Sequence, residues 1–177
     1  MAKTSVIKAL FQGDRILTED SSEAADLYDK SRYGVKQRSQ VQLSFIEALF
    51  LLEKGRICLV DGRNKEYDFD RLLKKASKSE KSFWQKYVVF RDLRERGYIV
   101  KTALKFGADF RVYDRGVKPG EDHAKWVVYP VSESSSLTWY EFSAKNRVAH
   151  STKKRLMIGV VDSENDVSYW EVRWTRP

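Results

Sequence analysis

The chain has 177 residues, 42% hydrophobic and 33% charged, which is enough for one ample core or two small ones and excludes a disordered chain. No apolar run approaches the length that spans a bilayer, and the opening MAKTSVIKAL is too short and interrupted for a signal peptide, so the cytoplasm is the expected compartment. A formal charge of +8 and a 13% aromatic share with five tryptophans suit a polyanionic partner with bases to stack on, although solvated helix faces and buried rings account for much of both.

Alternation and β-branched residues predict a strand over 6–11, a turn at Gly13-Asp14 and a second strand over 15–18. Residues 21–30 have short helical character, and the polar, basic stretch 31–40 with Gly34 reads as a loop. Leu43, Ile46, Leu49, Phe50 and Leu52 recur at helical spacing up to a C-cap at Gly55. A strand follows over 57–60; within it the lone cysteine, Cys58, reads as a small buried hydrophobe. One cysteine excludes an intrachain disulfide and argues against a cysteine-based zinc site. Gly62 marks a turn, and Asp68 N-caps a helix carrying Leu72, Leu73 and Ala76. Residues 77–81 read either as a linker or as the opening turn of the next helix, where Glu80 suits the positive end. Phe83, Tyr87, Phe90 and Leu93 form one apolar stripe of a helix that Gly97 stops.

The second half alternates differently. Residues 98–103 are a strand, and Phe110 with Val112 lie on one face of another, opposite Asp109, Arg111 and Tyr113. A loop over 116–120 leads to Glu121, Asp122 and His123, and a third strand spans 126–131. Thr138 and Glu141 form a capping box that opens a helix running toward the basic run Ala149–Arg155. Residues 156–161 are an apolar strand of central character; 162–166 are an acidic turn, and 167–174 close a hairpin. The expected fold is α/β (α+β), with a domain boundary near residue 80: an N-terminal α/β domain over 1–80, then a domain over 81–177 with a mixed sheet flanked by helices.

Within the last third, a tyrosine, a scarce histidine and lysines stand in sequence as Tyr113, His123, Lys153 and Lys154. Cleaving RNA through its own 2′-oxygen requires a base for the 2′-hydroxyl, an acid for the leaving 5′-oxygen and a cation for the phosphorus oxygens. Histidine suits the acid and lysine the oxyanion; tyrosine, with a reference pKa of about 10, needs a nearby cation to serve as base. Each residue also has an ordinary role: rim aromatic for Tyr113, exposed loop residue for His123, solvated helix terminus for the lysines. His150, beside Val148 and Ala149, reads as packed and structural. Composition and spacing alone reach a basic α/β domain with RNA-binding character.

The stretch YIVKTALKFGADFRVYDRG (98–116) resembles the most recognisable segment of archaeal tRNA-splicing endonucleases, and RVAHSTKKRL (147–156) resembles their second signature. Similarity extends over the whole chain, including LSFIEALFLLEKG (43–55) and KYVVFRDLRERGY (86–98). The resemblance implies a catalytic endonuclease domain over 81–177 and an N-terminal domain with a structural and assembly role. It implies Tyr113 as general base, His123 as general acid and Lys154 at the transition state, with Lys153 as the neighbour one register away. It also implies a pinch on a flipped bulge base by Arg147 and Trp174, with Trp170 as the alternative ring; cation–π stacking of this kind reads shape rather than base identity. The implied substrate is precursor tRNA cut at both junctions of a bulge–helix–bulge, leaving 2′,3′-cyclic phosphate and 5′-hydroxyl ends, with no metal and no cofactor. A tetramer is implied, either four identical chains or two catalytic and two non-catalytic ones, with the acidic loop Asp162, Glu164, Asp166 docking on another subunit. A homotetramer is the expectation here. Two competing readings are a magnesium nuclease using Asp109 with Glu121 or Asp122, and a non-catalytic RNA-binding subunit of the same assembly.

Overall fold

The alternation over the first strand becomes the covered face of a sheet. In β1 (Ile7–Gln12), Ile7, Ala9 and Phe11 are buried while Lys8 and Gln12 are exposed. The computed structural model describes residues 6–117, 120 and 123–175, and the chain divides into two units, 1–83 and 84–177.

In the first unit, β1 joins β2 (Arg15–Thr18), β3 (Val35–Gln37), β4 (Gln40–Leu43), β5 (Ile57–Asp61) and β6 (Glu66–Tyr67) in the order β3-β4-β2-β1-β5-β6. Only β1 and β5 run parallel. Helices α1 (Ser22–Asp29), α2 (Phe45–Glu53) and α3 (Phe69–Ser79) contribute Leu27, Ile46, Leu49, Leu72 and Ala76 to the core. One buried carboxylate ties this unit together. Glu47 accepts the Gly34 N–H at 2.9 Å through Oε1, and the Ser44 N–H at 3.0 Å and hydroxyl at 2.7 Å through Oε2, completing a capping box. Gly34 has φ +63°, and a Cβ there would stand 2.5 Å from the Gln42 carbonyl oxygen, so glycine is required on two counts.

Three sequence expectations change in this unit. The stretch 31–40 is not all loop: β3 forms within it and β4 starts at Gln40, because β4 offers the exposed, polar β3 an edge to pair with. Residues 77–81 are neither a linker nor the start of the next helix; α3 runs on through Ser79 with Glu80 as its C-cap. Cys58 is half-buried, not buried, since it takes an alternate position of β5 to the buried Ile57 and Leu59.

The second unit opens within α4 (Phe83–Glu95), one residue after the helix starts, and the stripe Phe83, Tyr87, Phe90 and Leu93 is buried throughout. Then follow β7 (Ile99–Thr102), a 3₁₀ turn (Leu104–Phe106), β8 (Phe110–Tyr113), β9 (Trp126–Ser132), α5 (Trp139–Ser151), β10 (Arg155–Val161) and β11 (Val167–Val172). The sheet order is β11-β10-β9-β8-β7, with β9 and β10 parallel across the α5 crossover and every other pair antiparallel. Thr138 and Glu141 form the expected capping box at the start of α5. Strand β10 lies second from the edge rather than at the centre, which β9 occupies.

Helices cover both faces. On one, α4 sets Phe90 against Phe110 (ring centroids 5.9 Å apart), and Asp92 accepts the Tyr169 hydroxyl at 2.7 Å. On that face Val89 comes so close to β10 that a Cβ on Gly159 would meet it at 3.1 Å. On the other face Ala149 of α5 packs with Val127, Tyr129, Leu156 and Ile158. The Tyr129 hydroxyl donates to the Gly107 carbonyl at 3.0 Å, and burial, helped by nearby Asp109, pushes its pKa up to about 12.

Candidate active site

Register alone decides which side chains share a face at the end of the second sheet. Arg111, Val127, Leu156 and Val172 are successive cross-strand partners, so they point to one side, the side packed by α5. Two residues further along the same side stand Tyr113 on β8, Lys125 before β9, Lys154 before β10 and Trp174 after β11. With strands about 4.8 Å apart, positions two strands removed are about 10 Å apart, so Tyr113 and Lys154 stand about that far apart along one side of the sheet end. His123 stands three residues before Trp126, on the segment that feeds β9 at this same end.

Each of these positions has a local cause. Tyr113 ends β8 and is 4% exposed, so the rim-aromatic alternative does not describe it. The Arg111 guanidinium carbon lies 6.0 Å from its ring centroid. His123 is exposed, and its neighbour Ala124, buried at 5%, anchors the segment. Lys154 is aimed by the way α5 ends. Lys153 adopts φ +55°, its N–H bonds to the His150 carbonyl at 3.0 Å, and the Lys154 N–H reaches back to the Ala149 carbonyl at 2.8 Å. That left-handed exit turns the chain into β10, and Lys154 Nζ donates to the Thr152 carbonyl at 2.9 Å.

Beside Lys154 a cleft of about 230 Å³ lies between α5 and the β11 exit, lined by Asn146, His150, Lys154, Arg155, Arg173 and Trp174. Tyr113 and His123 do not line it. Trp174 lies beyond β11, which ends at Val172, and is 54% exposed with its ring centroid 5.0 Å from that of His150. His150 is therefore not packed in the core: it is exposed on α5, one position along from the buried Ala149. Arg147 is exposed one turn earlier on α5 and does not line the cleft. Trp170 is 65% exposed on β11 and pairs across to Ile158.

The acidic loop sits at the opposite end of β10. Asp162 Oδ1 accepts the N–H groups of Glu164 and Asp166, both at 2.9 Å, so its charge is spent inside the loop while Glu164 and Asp166 are exposed. Asn165 (φ +67°) accepts the Trp84 indole N–H at 2.6 Å, and Glu133 accepts the Ser163 N–H at 2.7 Å. Of the alternative magnesium pair, Asp109 is salt-bridged to Lys86 at 2.6 Å, and Glu121 and Asp122 lie outside the described residues. Among the described residues no group of three or more His, Cys, Asp or Glu is arranged to hold a metal, and no helix is long and apolar enough to cross a membrane.

Sequence reading missed a network of polar side chains that links the strands across this sheet end. Asp114 and Lys125 pair at 2.5 Å, and the Lys125 ammonium lies 4.4 Å from the Trp126 ring centroid. The Trp126 indole N–H donates to Glu171 at 2.8 Å, and Glu171 also accepts from Arg155 at 3.3 Å and from Arg173 at 2.8 Å. The Trp126 bond above all, then Arg173 and Arg155, holds the Glu171 carboxyl at about 2 against its partial burial. The Lys125 ammonium likewise lowers Asp114.

Residues 83–169 match the family described as tRNA intron endonuclease, catalytic C-terminal domain, and residues 7–73 match the tRNA intron endonuclease N-terminal domain. Three similar proteins, each called tRNA-splicing endonuclease, come from archaea. That of Methanothermobacter thermautotrophicus is 41% identical over 168 residues, covering 93% of this chain and 96% of the relative. That of Pyrococcus furiosus is 40% identical, covering 97% and 98%. That of Nanoarchaeum equitans is 43% identical, covering 77% and 90%.

Proposed function

Because this chain belongs to the tRNA intron endonuclease family, and is an enzyme of that kind acting on precursor tRNA, we propose that it excises introns by metal-independent transesterification at both splice sites of a bulge–helix–bulge. The observation that carries this reading is the strand register. It gives Tyr113 and Lys154 a common face, with His123 on the segment entering between them.

In this reaction Tyr113 takes the 2′-hydroxyl proton as the 2′-oxygen attacks phosphorus. The bond from phosphorus to the 5′-oxygen breaks, His123 protonates that oxygen, and Lys154 holds the charge on the non-bridging oxygens. A 2′,3′-cyclic phosphate and a 5′-hydroxyl result, with atoms and charge balanced and no metal in any step. Unpaired bulge nucleotides allow the in-line geometry that a regular helix denies. The bulge base rests against Trp174, with Arg147 closing on it from α5.

Two cuts at a fixed separation call for two sites, and one chain carries one. We assign residues 1–80 to assembly and 81–177 to catalysis, with self-association to a homotetramer in the cytoplasm. Support comes from large rings left in the open: Trp139 at 83%, Tyr140 at 78% and Trp170 at 65% exposure, the last on an edge strand that pairs only with β10 among the described residues. Glu164 and Asp166 supply the docking charge.

The test is incubation of the purified chain with a precursor tRNA carrying a bulge–helix–bulge, in EDTA, followed by analysis of the RNA ends. Two cuts with cyclic phosphate and 5′-hydroxyl ends are expected, from a particle of four chains by multi-angle light scattering. Cleavage that stops on chelation, or ends bearing a 5′-phosphate, defeats the metal-independent mechanism.

A further inference from the structure

Four chain segments converge at the end of the second sheet, and the side chains of one strand alternate between its faces. On the α5 side stand Tyr113, Lys154 and Trp174. On the α4 side stand Val112, Trp126 and Arg155 in one cross-strand row, with Arg173 next to it on β11's continuation. The members of the network are close in sequence to the residues assigned to the reaction. Asp114 follows Tyr113, Lys125 comes two after His123, Arg155 follows Lys154, and Arg173 precedes Trp174.

Glu171 is where these segments meet. Its two oxygens take the Trp126 indole N–H at 2.8 Å, Arg155 at 3.3 Å and Arg173 at 2.8 Å, joining β9, β10 and the β11 exit through one carboxylate. Magnitudes decide what such an arrangement is for. The Arg155 and Arg173 side chains are 45% and 66% exposed, and ion pairs of that exposure add about 0–1 kcal/mol to stability. Their effect on geometry is of another order, since a misplacement of about 1 Å in a reacting group costs roughly 10²-fold in rate.

We propose that Glu171 is a positioning residue for the cleavage reaction, holding Trp126, Arg155 and Arg173 together at the sheet end so that the His123 segment, Lys154 and Trp174 next to them keep their spacing. The inference rests on the proposed RNA cleavage, and Glu171 itself touches no substrate. Lys154 directly precedes Arg155, the first residue of β10, so a tether on Arg155 constrains where Lys154 stands. The carboxylate stays charged across the working pH range, because its pKa lies at about 2.

The experiment is single-turnover cleavage with wild type, Glu171→Gln, Glu171→Ala, Lys154→Ala and the double variant Lys154→Ala/Glu171→Ala, with RNA affinity and a thermal melt for each. Glu171→Ala is expected to lower the rate about 10- to 100-fold with the Kd changed less than about threefold, and Glu171→Gln, which keeps the Trp126 acceptor, to recover most of it. In the Lys154→Ala background the same change is expected to cost severalfold less than in wild type, because one of the residues it positions is gone. A purely structural role moves the melt and the active fraction but leaves no such non-additivity. The inference is overturned if Glu171→Ala cleaves within about twofold of wild type well below its melt, or if the Lys154→Ala background leaves its cost undiminished. Wild type that cleaves while Glu171→Ala is indifferent removes this inference alone. Wild type that leaves the RNA intact removes the function reading and this inference with it.

Discussion

The two ends of β10 are opposites in charge and in construction. The strand enters from Lys153, Lys154 and Arg155 and leaves into Asp162, Glu164 and Asp166, about 23 Å away at some 3.3 Å per residue. At the basic end long side chains are held by one another and by Glu171 across three strands. At the acidic end Asp162 accepts the loop's own N–H groups, while Trp84 and Glu133 each add one bond from outside the loop. The difference teaches that the basic end has its precision from bonds among side chains of several strands, while the acidic loop joins local Asp162 bonds to two from outside and presents Glu164 and Asp166 outward.

The contrast can be broken most severely at the basic end. Lys154→Ala should lower single-turnover cleavage by about 10²–10⁴-fold while the chain melts and assembles as wild type, which calorimetry and light scattering check. At the acidic end, Glu164→Lys/Asp166→Lys should leave the monomer folded but convert the assembly to smaller species, with cleavage at low protein concentration down by on the order of 10-fold; light scattering across a dilution series reads it. The midpoint of the strand serves neither end. Gly159→Ala presses on Val89 at 3.1 Å and should cost about 1–3 kcal/mol of stability without altering product ends, as a denaturant melt would show.

The gentlest test is pH. Glu171 has a folded pKa of about 2, below the ordinary 4.5 of a free carboxyl, so its contribution is present above 4.5 and fades as pH falls toward 2. The melting difference between wild type and Glu171→Gln should follow that course and be flat from pH 5 to 8. A difference that instead grows below pH 4 has the wrong sign and denies the depressed carboxyl.

Much of this was legible in the sequence wherever a pattern is local. The stripe Phe83, Tyr87, Phe90, Leu93 and the pair Thr138 and Glu141 announce α4 and α5 because helix period and capping act within one or two turns. Strand β3 escaped because Val35, Lys36 and Gln37 are all exposed and become a strand only through the edge that β4 provides. The lysine-rich end of α3 looks the same in sequence whether it is helix or linker. At the candidate site, Tyr113, His123 and Lys154 were singled out by residue type and family resemblance. Glu171 was not, because its bond to Trp126 spans 45 positions and exists only once two registers are set. His150 was misread because a neighbour of a buried helical residue points about 100° away from it.

Gly34 carries a consequence for how this sequence can vary. Its amide is taken by Glu47 and the space where a side chain would begin is already filled by Gln42 and Val41. No single exchange at position 34 can be absorbed by a compensating one at position 47, since the obstruction is backbone. In a library randomised over residues 31–38 and selected for activity, the surviving clones should be diverse at 31, 35, 36 and 37 and monotonous at 34. The first unit is thus free to drift over most of this stretch around one position that does not move.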